Sequence, residues 1–282
     1  MAKKRATRVR LAVQAVFFVL IAVIAINHTL SESGNAIPVL SDASLHAVCP
    51  FGGVVSIYSF ASGGDFVKKT HSSSFILMIL VFILAIIAGP VFCGWVCPFG
   101  TFQEWIGKMG KRLFGKRFNN FVPKKLDYYL RFLRYGVAAW VVYVTATSAT
   151  LFFADYDPYF ALFNFWSGEV TLISLVLLLL VMAASLLVER PFCKYFCPYG
   201  AVLGLFNLFR VFGIKRNAKT CINCKLCDKN CPMNIEVSRA GRVRDHQCIT
   251  CLKCTSENYC PVENTVELMI GKYEQAGGQN ED

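Results

Sequence analysis

The sequence predicts an α-helical membrane protein with four transmembrane helices in two parallel two-helix repeats, followed by a small C-terminal α+β domain organised by cysteines. Three observations predict it. Four apolar stretches have spanning length, a nine-residue cysteine motif occurs twice, and eight of the 13 cysteines lie beyond residue 220 at short fixed spacing.

The apolar stretches run over residues 9–26, 75–92, 135–153 and 170–188, each near the roughly 20 residues that cross a hydrocarbon core. Arg10, at the edge of the first, is their one Lys or Arg. Buried core helices would need a large polar shell, and a chain that is 55% hydrophobic and 17% charged supplies none; typical soluble domains carry about 25% charged residues. The net charge of +11 suits basic loops beside anionic lipid better than nucleic acid in so apolar a chain. The first stretch follows a basic start, as a signal peptide would, but no small-x-small cleavage site follows it, so an uncleaved anchor is expected.

Basic residues set the direction. Lys3, Lys4, Arg5, Arg8 and Arg10 precede the first span, nine Lys and Arg follow the second and thirteen follow the fourth, whereas the loops 27–74 and 154–169 hold only Lys68 and Lys69. Both termini and the cysteine domain are therefore expected on the cytoplasmic side of a cell inner membrane.

The second and fourth spans each run into F-C-x3-C-P-[FY]-G: Phe92-Cys93 to Cys97-Pro98-Phe99-Gly100, and Phe192-Cys193 to Cys197-Pro198-Tyr199-Gly200. Amphipathic stretches follow, Thr101–Phe118 and Ala201–Phe212. Cysteines four apart share a helical face or a turn ended by the proline. Cys93, Cys97, Cys193 and Cys197 could converge as four thiolates, giving a third cluster or a pair of redox thiols; the alternative is small buried residues that help packing. A third Cys-Pro-Phe-Gly begins at Cys49, three residues after His46, in the first outer loop; two ligands do not complete a metal site. Glu104, Asp155, Asp157 and Glu189 lie near span ends, where carboxylates are mostly solvated, and none is assigned a role.

The C-terminal signal is the strongest. Cys221-x2-Cys224-x2-Cys227-x3-Cys231-Pro232 is followed by Cys248-x2-Cys251-x2-Cys254-x5-Cys260-Pro261. The first run has the spacing of bacterial-type 2[4Fe–4S] ferredoxins, in which the fourth cysteine of each run ligates the other cluster; the second departs from it by a longer final gap, a slightly enlarged loop. That pattern assigns Cys221, Cys224, Cys227 and Cys260 to one cluster, and Cys231, Cys248, Cys251 and Cys254 to the second. Zinc sites also use Cys-x-x-Cys pairs but have no need of the crossed arrangement. Neighbouring thiols on one tight loop make poor disulfide partners, so the pattern implies a reducing compartment or loading before export. Lys225, Lys229, Arg239, Arg242, Arg244 and Lys253, among these cysteines, form a solvated face that can steer an acidic partner. The expected domains are residues 1–213 in the membrane, 214–270 holding the two clusters, and 271–282 as a flexible tail.

Spans, paired F-C-x3-C-P motifs and a terminal two-cluster segment together resemble the NapH/NosR-type membrane ferredoxins over nearly the whole chain. The resemblance implies electron transfer from a quinol or cytoplasmic donor to a redox protein partner, such as a flavoprotein or a reductase subunit. It makes the chain primarily an electron carrier, with a quinol dehydrogenase subunit as its enzymatic form. The outward flavin-binding domain of NosR proteins has no counterpart here, which places the architecture nearer NapH. The chain is also similar to CcoG-like copper-handling proteins, and the competing expectation is a metal-handling assembly factor whose clusters reduce copper.

Overall fold

The computed structural model describes residues 2–32, 72–148, 156–165 and 170–270. Its helices are α1 (Ala2–Glu32), α2 (Ser72–Ala88), α3 (Pro98–Phe114), α4 (Lys124–Ser148), α5 (Pro158–Asn164), α6 (Leu172–Leu187), α7 (Pro191–Tyr195), α8 (Pro198–Phe206) and α9 (Leu226–Lys229). Two strands, β1 (Gly213–Arg216) and β2 (Val266–Met269), pair antiparallel with Gly213 opposite Met269. Cys49 and His46 lie outside the described residues, as do Asp155 and the tail from 271.

Local chemistry sets the ends of the apolar helices. α2 stops where Gly89 takes φ +83° ahead of Pro90, and α6 stops where Arg190 takes φ +53° ahead of Pro191. Proline lacks the donor that would continue the ladder. In consequence α1, over Thr7–Asn27, is the one helix among the described residues long and apolar enough to cross a membrane, while Ile76–Ala88 and Leu172–Leu187 are apolar but shorter. The third expected stretch belongs to α4, whose first turns carry Lys124, Lys125, Arg131 and Arg134. α2 and α6 expose apolar side chains on their outward faces, Ile76 at 71% and Leu172 at 75%.

The two copies of the repeat exchange helices. α3, which follows the first motif, lies on α6 with Phe99 against Leu178. α8, which follows the second, lies on α2, with Tyr199 and Leu203 against Val81 and Ala85 and the Phe82 and Phe206 rings 5.0 Å apart. α1 flanks the first motif through Phe18, whose ring is 5.0 Å from Trp105; α4 flanks the second. α5 re-enters from the segment expected to be an outer loop, and Ala161 is buried between Phe99 and Leu178. A separate core of Ile214, Met233, Ile235, Val243, Ile249 and Val266 fills the C-terminal domain, with Cys93 and Cys193 packed on its edge.

Candidate functional site: two sets of thiols across one interface

Each F-C-x3-C-P motif folds as one tight turn that reverses the chain. In the first copy Phe92–Val96 forms a π-helical turn closed by the Cys97 N–H on the Phe92 carbonyl at 2.9 Å. In the second the Cys197 N–H closes on the Phe192 carbonyl at the same 2.9 Å. Pro98 and Pro198 then start new helices, for which their fixed φ is pre-organised. Cys97 and Cys197 thus become N-caps, and the Gly200 N–H donates to the Cys197 Sγ at 3.3 Å. A helix N-terminus favours negative charge and so favours thiolate.

The turns bring all four cysteines together: each of Cys93, Cys97, Cys193 and Cys197 lies within electrostatic range of the other three. Gln103 Nε2 donates to the Cys193 Sγ at 3.5 Å. Arg190, fully buried, donates from Nη1 to the Cys93 carbonyl at 2.6 Å, and its Nε–H has no hydrogen-bond partner. Gly100 makes room for it, since a Cβ there would sit 2.8 Å from Arg190 Nη1. Four thiols, N–H donors aimed at sulfur and an orphaned buried cationic donor fit a cluster of net negative charge.

The two C-terminal runs repeat one backbone. Asn223 and Lys225 in the first, and Thr250 and Leu252 in the second, hold φ between 48° and 56°. Each run then enters a helical turn, α9 or the 3-10 turn Lys253–Thr255. Such alternation points successive N–H groups into a concavity that suits an anionic cluster. The fourth cysteine of each run lies beside thiols of the other run. Cys231, from the first run, neighbours Cys248, Cys251 and Cys254 of the second. These four thiols line one small cavity. Cys260, from the second run, neighbours Cys227. Burial pushes the Cys231 thiol up to about 12, and the nearby Cys251 pushes the same way, so thiolates gathered here need cationic charge among them. The donors Cys231, Cys248, Cys251 and Cys254 fit an iron–sulfur cluster.

The two runs differ in exposure. Ile222, Asn223, Cys224 and Lys225 are exposed, while Cys248, Ile249 and Thr250 are buried against the helical domain. There Trp95 Nε1 donates to the Thr250 carbonyl at 3.1 Å and Thr250 Oγ1 to the Ala88 carbonyl at 3.0 Å. Gly94 is the point of closest approach, because a Cβ on it would lie 2.3 Å from the Ile249 carbonyl oxygen.

Two carboxylates expected to be solvated are instead part of this interface. Glu104, 4% exposed, accepts from Arg10 at 2.6 Å and Arg190 at 2.7 Å, and lies 3.2 Å from Lys253 Nζ. Glu189 pairs with the same Lys253 at 2.5 Å. Burial alone would raise the Glu104 carboxyl; Lys253, Arg190 and Arg10 outweigh it and hold the group well below the usual carboxylate range. A matching group on the second copy joins Asp127 to Arg131 at 2.5 Å and Lys194 at 2.6 Å, with Arg131 donating onward to the Asn234 carbonyl at 3.0 Å. No local pattern marks Glu104, since its partners come from positions 10, 190 and 253. An apolar cavity of about 180 Å³ reaches Cys97, Cys193 and Cys197 between α1 and α2, lined also by Leu20, Phe99, Asp157 and Tyr199.

The comparisons agree with this geometry. A family model described as a 4Fe-4S binding domain matches residues 70–117 and 170–217, and a 4Fe-4S dicluster domain matches 213–276. The chain belongs to the NapH/NosR-type 4Fe–4S ferredoxin family. MJ0750 of Methanocaldococcus jannaschii, an uncharacterized protein, is 32% identical over 74% of this chain and 82% of its own length. YccM of Escherichia coli, named for electron transport, is 32% identical over 79% of this chain and 63% of its own. The ferredoxin-type protein NapH of Haemophilus influenzae is 31% identical over 62% of each. The chain thus spans somewhat less than two thirds of YccM and NapH. No solved structure matches it. Within this family the chain is a 4Fe–4S ferredoxin-type protein.

Proposed function

We propose that the protein is a membrane-bound relay that carries electrons between a quinol in the bilayer and a redox protein partner in the cytoplasm. The observation that carries the reading is the contact at Gly94, where the turn bearing Cys93 meets the loop bearing Cys248 and Cys251. In this reading Cys221, Cys224, Cys227 and Cys260 hold one cluster and Cys231, Cys248, Cys251 and Cys254 a second. The boundary cysteines Cys93, Cys97, Cys193 and Cys197 hold a third. They are the only cysteines in the two segments matched as a 4Fe-4S binding domain, which supports that assignment. Each cluster, when bound, accepts or gives one electron.

The protein's own residues order the route. The exposed edge at Cys224 and Ile222, with Lys225 and Lys229 beside it, suits docking of an acidic partner by charge steering. The buried loop 248–251 faces inward. The apolar cavity at Cys97, Cys193 and Cys197 suits a quinol ring, and Asp157 at its wall, whose Oδ1 accepts the Tyr159 N–H at 2.9 Å, offers a second oxygen to a ring hydroxyl. In this reading the chain keeps four membrane crossings with both termini cytoplasmic; the apolar outer faces of α1, α2 and α6, which water would leave unfavourably exposed, and the basic residues gathered on one side support it.

The test uses the full chain, anaerobically loaded in lipid nanodiscs and mixed with a short-chain quinol. Cluster reduction that slows at least tenfold in Leu20→Trp, which fills the cavity, is the expected result. Reduction by dithionite but by no quinol would overturn the quinol arm.

A further inference from the structure

Five charged side chains from four separate segments meet between the two sets of thiols: Arg10 from α1, Glu104 from α3, Glu189 and Arg190 from the turn after α6, and Lys253 from between Cys251 and Cys254. Their side chains are between 0% and 17% exposed, so water and salt screen them little. We propose that Glu104 is the counter-charge shared by the boundary thiols and the inner thiols of the C-terminal domain, and that it lowers the reduction potential at both. The proposal rests on the reading that both sets hold clusters.

The geometry gives Glu104 a hand on each side. Arg190 Nη2 donates to Glu104 Oε2 at 2.7 Å, while Nη1 of the same guanidinium donates to the carbonyl of Cys93 at 2.6 Å. Arg190 is within electrostatic range of Cys93, Cys97 and Cys193. Across the interface Lys253 Nζ lies 3.2 Å from Glu104 Oε1 and within electrostatic range of Cys251. One carboxylate thus offsets a cation beside each set. With Arg10 and Glu189 included, the group carries one net positive charge, and without Glu104 it would carry two. Clusters held by four thiolates are anionic and become more so on reduction, so an added buried positive charge favours the reduced state. Cys224 of the outer cluster is exposed, and solvent screens it from this group. Glu104 also explains why three cations can be buried together, since each alone would cost several kcal/mol.

The experiment is an EPR-monitored redox titration of the full, anaerobically loaded chain and its Glu104→Gln, Glu104→Asp and Arg10→Gln variants. Glu104→Gln should shift the boundary signal and that of the inner C-terminal cluster upward by at least tenfold in the one-electron equilibrium, about 59 mV. The outer cluster should stay put. Glu104→Asp should return both signals toward the wild-type values. Arg10→Gln removes a cation and should shift the same two downward, so the sign is tested even where Glu104→Gln fails to load. Shifts of one sign in both variants, equal shifts of all the clusters, or no shift at all would overturn the proposal. Failure to find a boundary signal in the wild type, with iron at about eight per chain, would overturn the three-cluster reading, and with it the boundary half of the proposal. The inner cluster's response would then stand as a separate result.

Discussion

Gly94→Ala is the smallest change that tests whether the two domains meet as described. An ideal Cβ at this position lies 2.3 Å from the Ile249 carbonyl oxygen and 3.5 Å from the Cys251 Cα and backbone nitrogen. The obstacle is backbone on a loop fixed by cysteines, so it cannot swing aside. The turn and the loop must part by about 1 Å to reach ordinary contact. Overpacking of this kind costs roughly 1–3 kcal/mol. Parting also stretches the Trp95 bond to the Thr250 carbonyl, 3.1 Å long, which adds about 1 kcal/mol. The docked arrangement should lose about 2–4 kcal/mol, roughly 30- to 900-fold in its ratio to the undocked one. Hydrogen exchange of the amides from 248 to 254 in the loaded chain reads this directly. Protection there should fall by that factor while amides of β1 and β2 keep theirs. Unchanged protection over 248–254 would refute the argument. Gly136→Ala, on α4 where a Cβ meets open space, is the control and should stabilise by about 0.5–1 kcal/mol.

Further outcomes follow from the same coordinates. Trp95→Phe keeps an aromatic ring but removes the donor to Thr250, and should lower protection of the loop amides about fivefold, from roughly 1 kcal/mol. Arg210→Met removes donors to the Cys248 Sγ at 3.5 Å, the Thr250 Oγ1 at 3.1 Å and the Val243 carbonyl at 2.5 Å; losing these buried hydrogen bonds should destabilise the C-terminal domain by about 1–3 kcal/mol in denaturant titration. The pH dependence has a definite sign. Glu104 is held below the ordinary carboxylate value near 4.3, so its contribution is present above that value and lost as pH falls through the depressed one. Loop protection, corrected for intrinsic exchange, should therefore stay flat between about pH 5 and 8. A loss centred near neutrality would contradict the burial of Glu104.

The sequence carried what depends on local spacing. The Cys-x2-Cys-x2-Cys runs implied a crossed pairing, and the structure places Cys231 with Cys248, Cys251 and Cys254. The doubled F-C-x3-C-P pattern implied convergence, and the four thiols converge. What spacing could not carry was long-range. α2 ends at Gly89–Pro90 and α6 at Arg190–Pro191, so both are shorter than their apolar stretches suggested. α5 falls in the stretch read as an outer loop, yet it packs beside Cys97, with Ala161 and Phe163 buried. Glu104 read as a solvated carboxylate because its three cations are distant in sequence. Nor does composition say which cysteine run faces solvent; the buried contacts of Thr250 and Gly94 decide that.

The central claim is that the duplicated turns and the C-terminal runs together form one chain of redox sites. Iron and acid-labile sulfide per chain, measured with EPR on the wild type and on Cys97→Ser, test it most directly. Three clusters require about twelve irons in the wild type and about eight in Cys97→Ser, with one set of signals lost and the C-terminal pair intact. About eight irons in both proteins, with identical spectra, would contradict it.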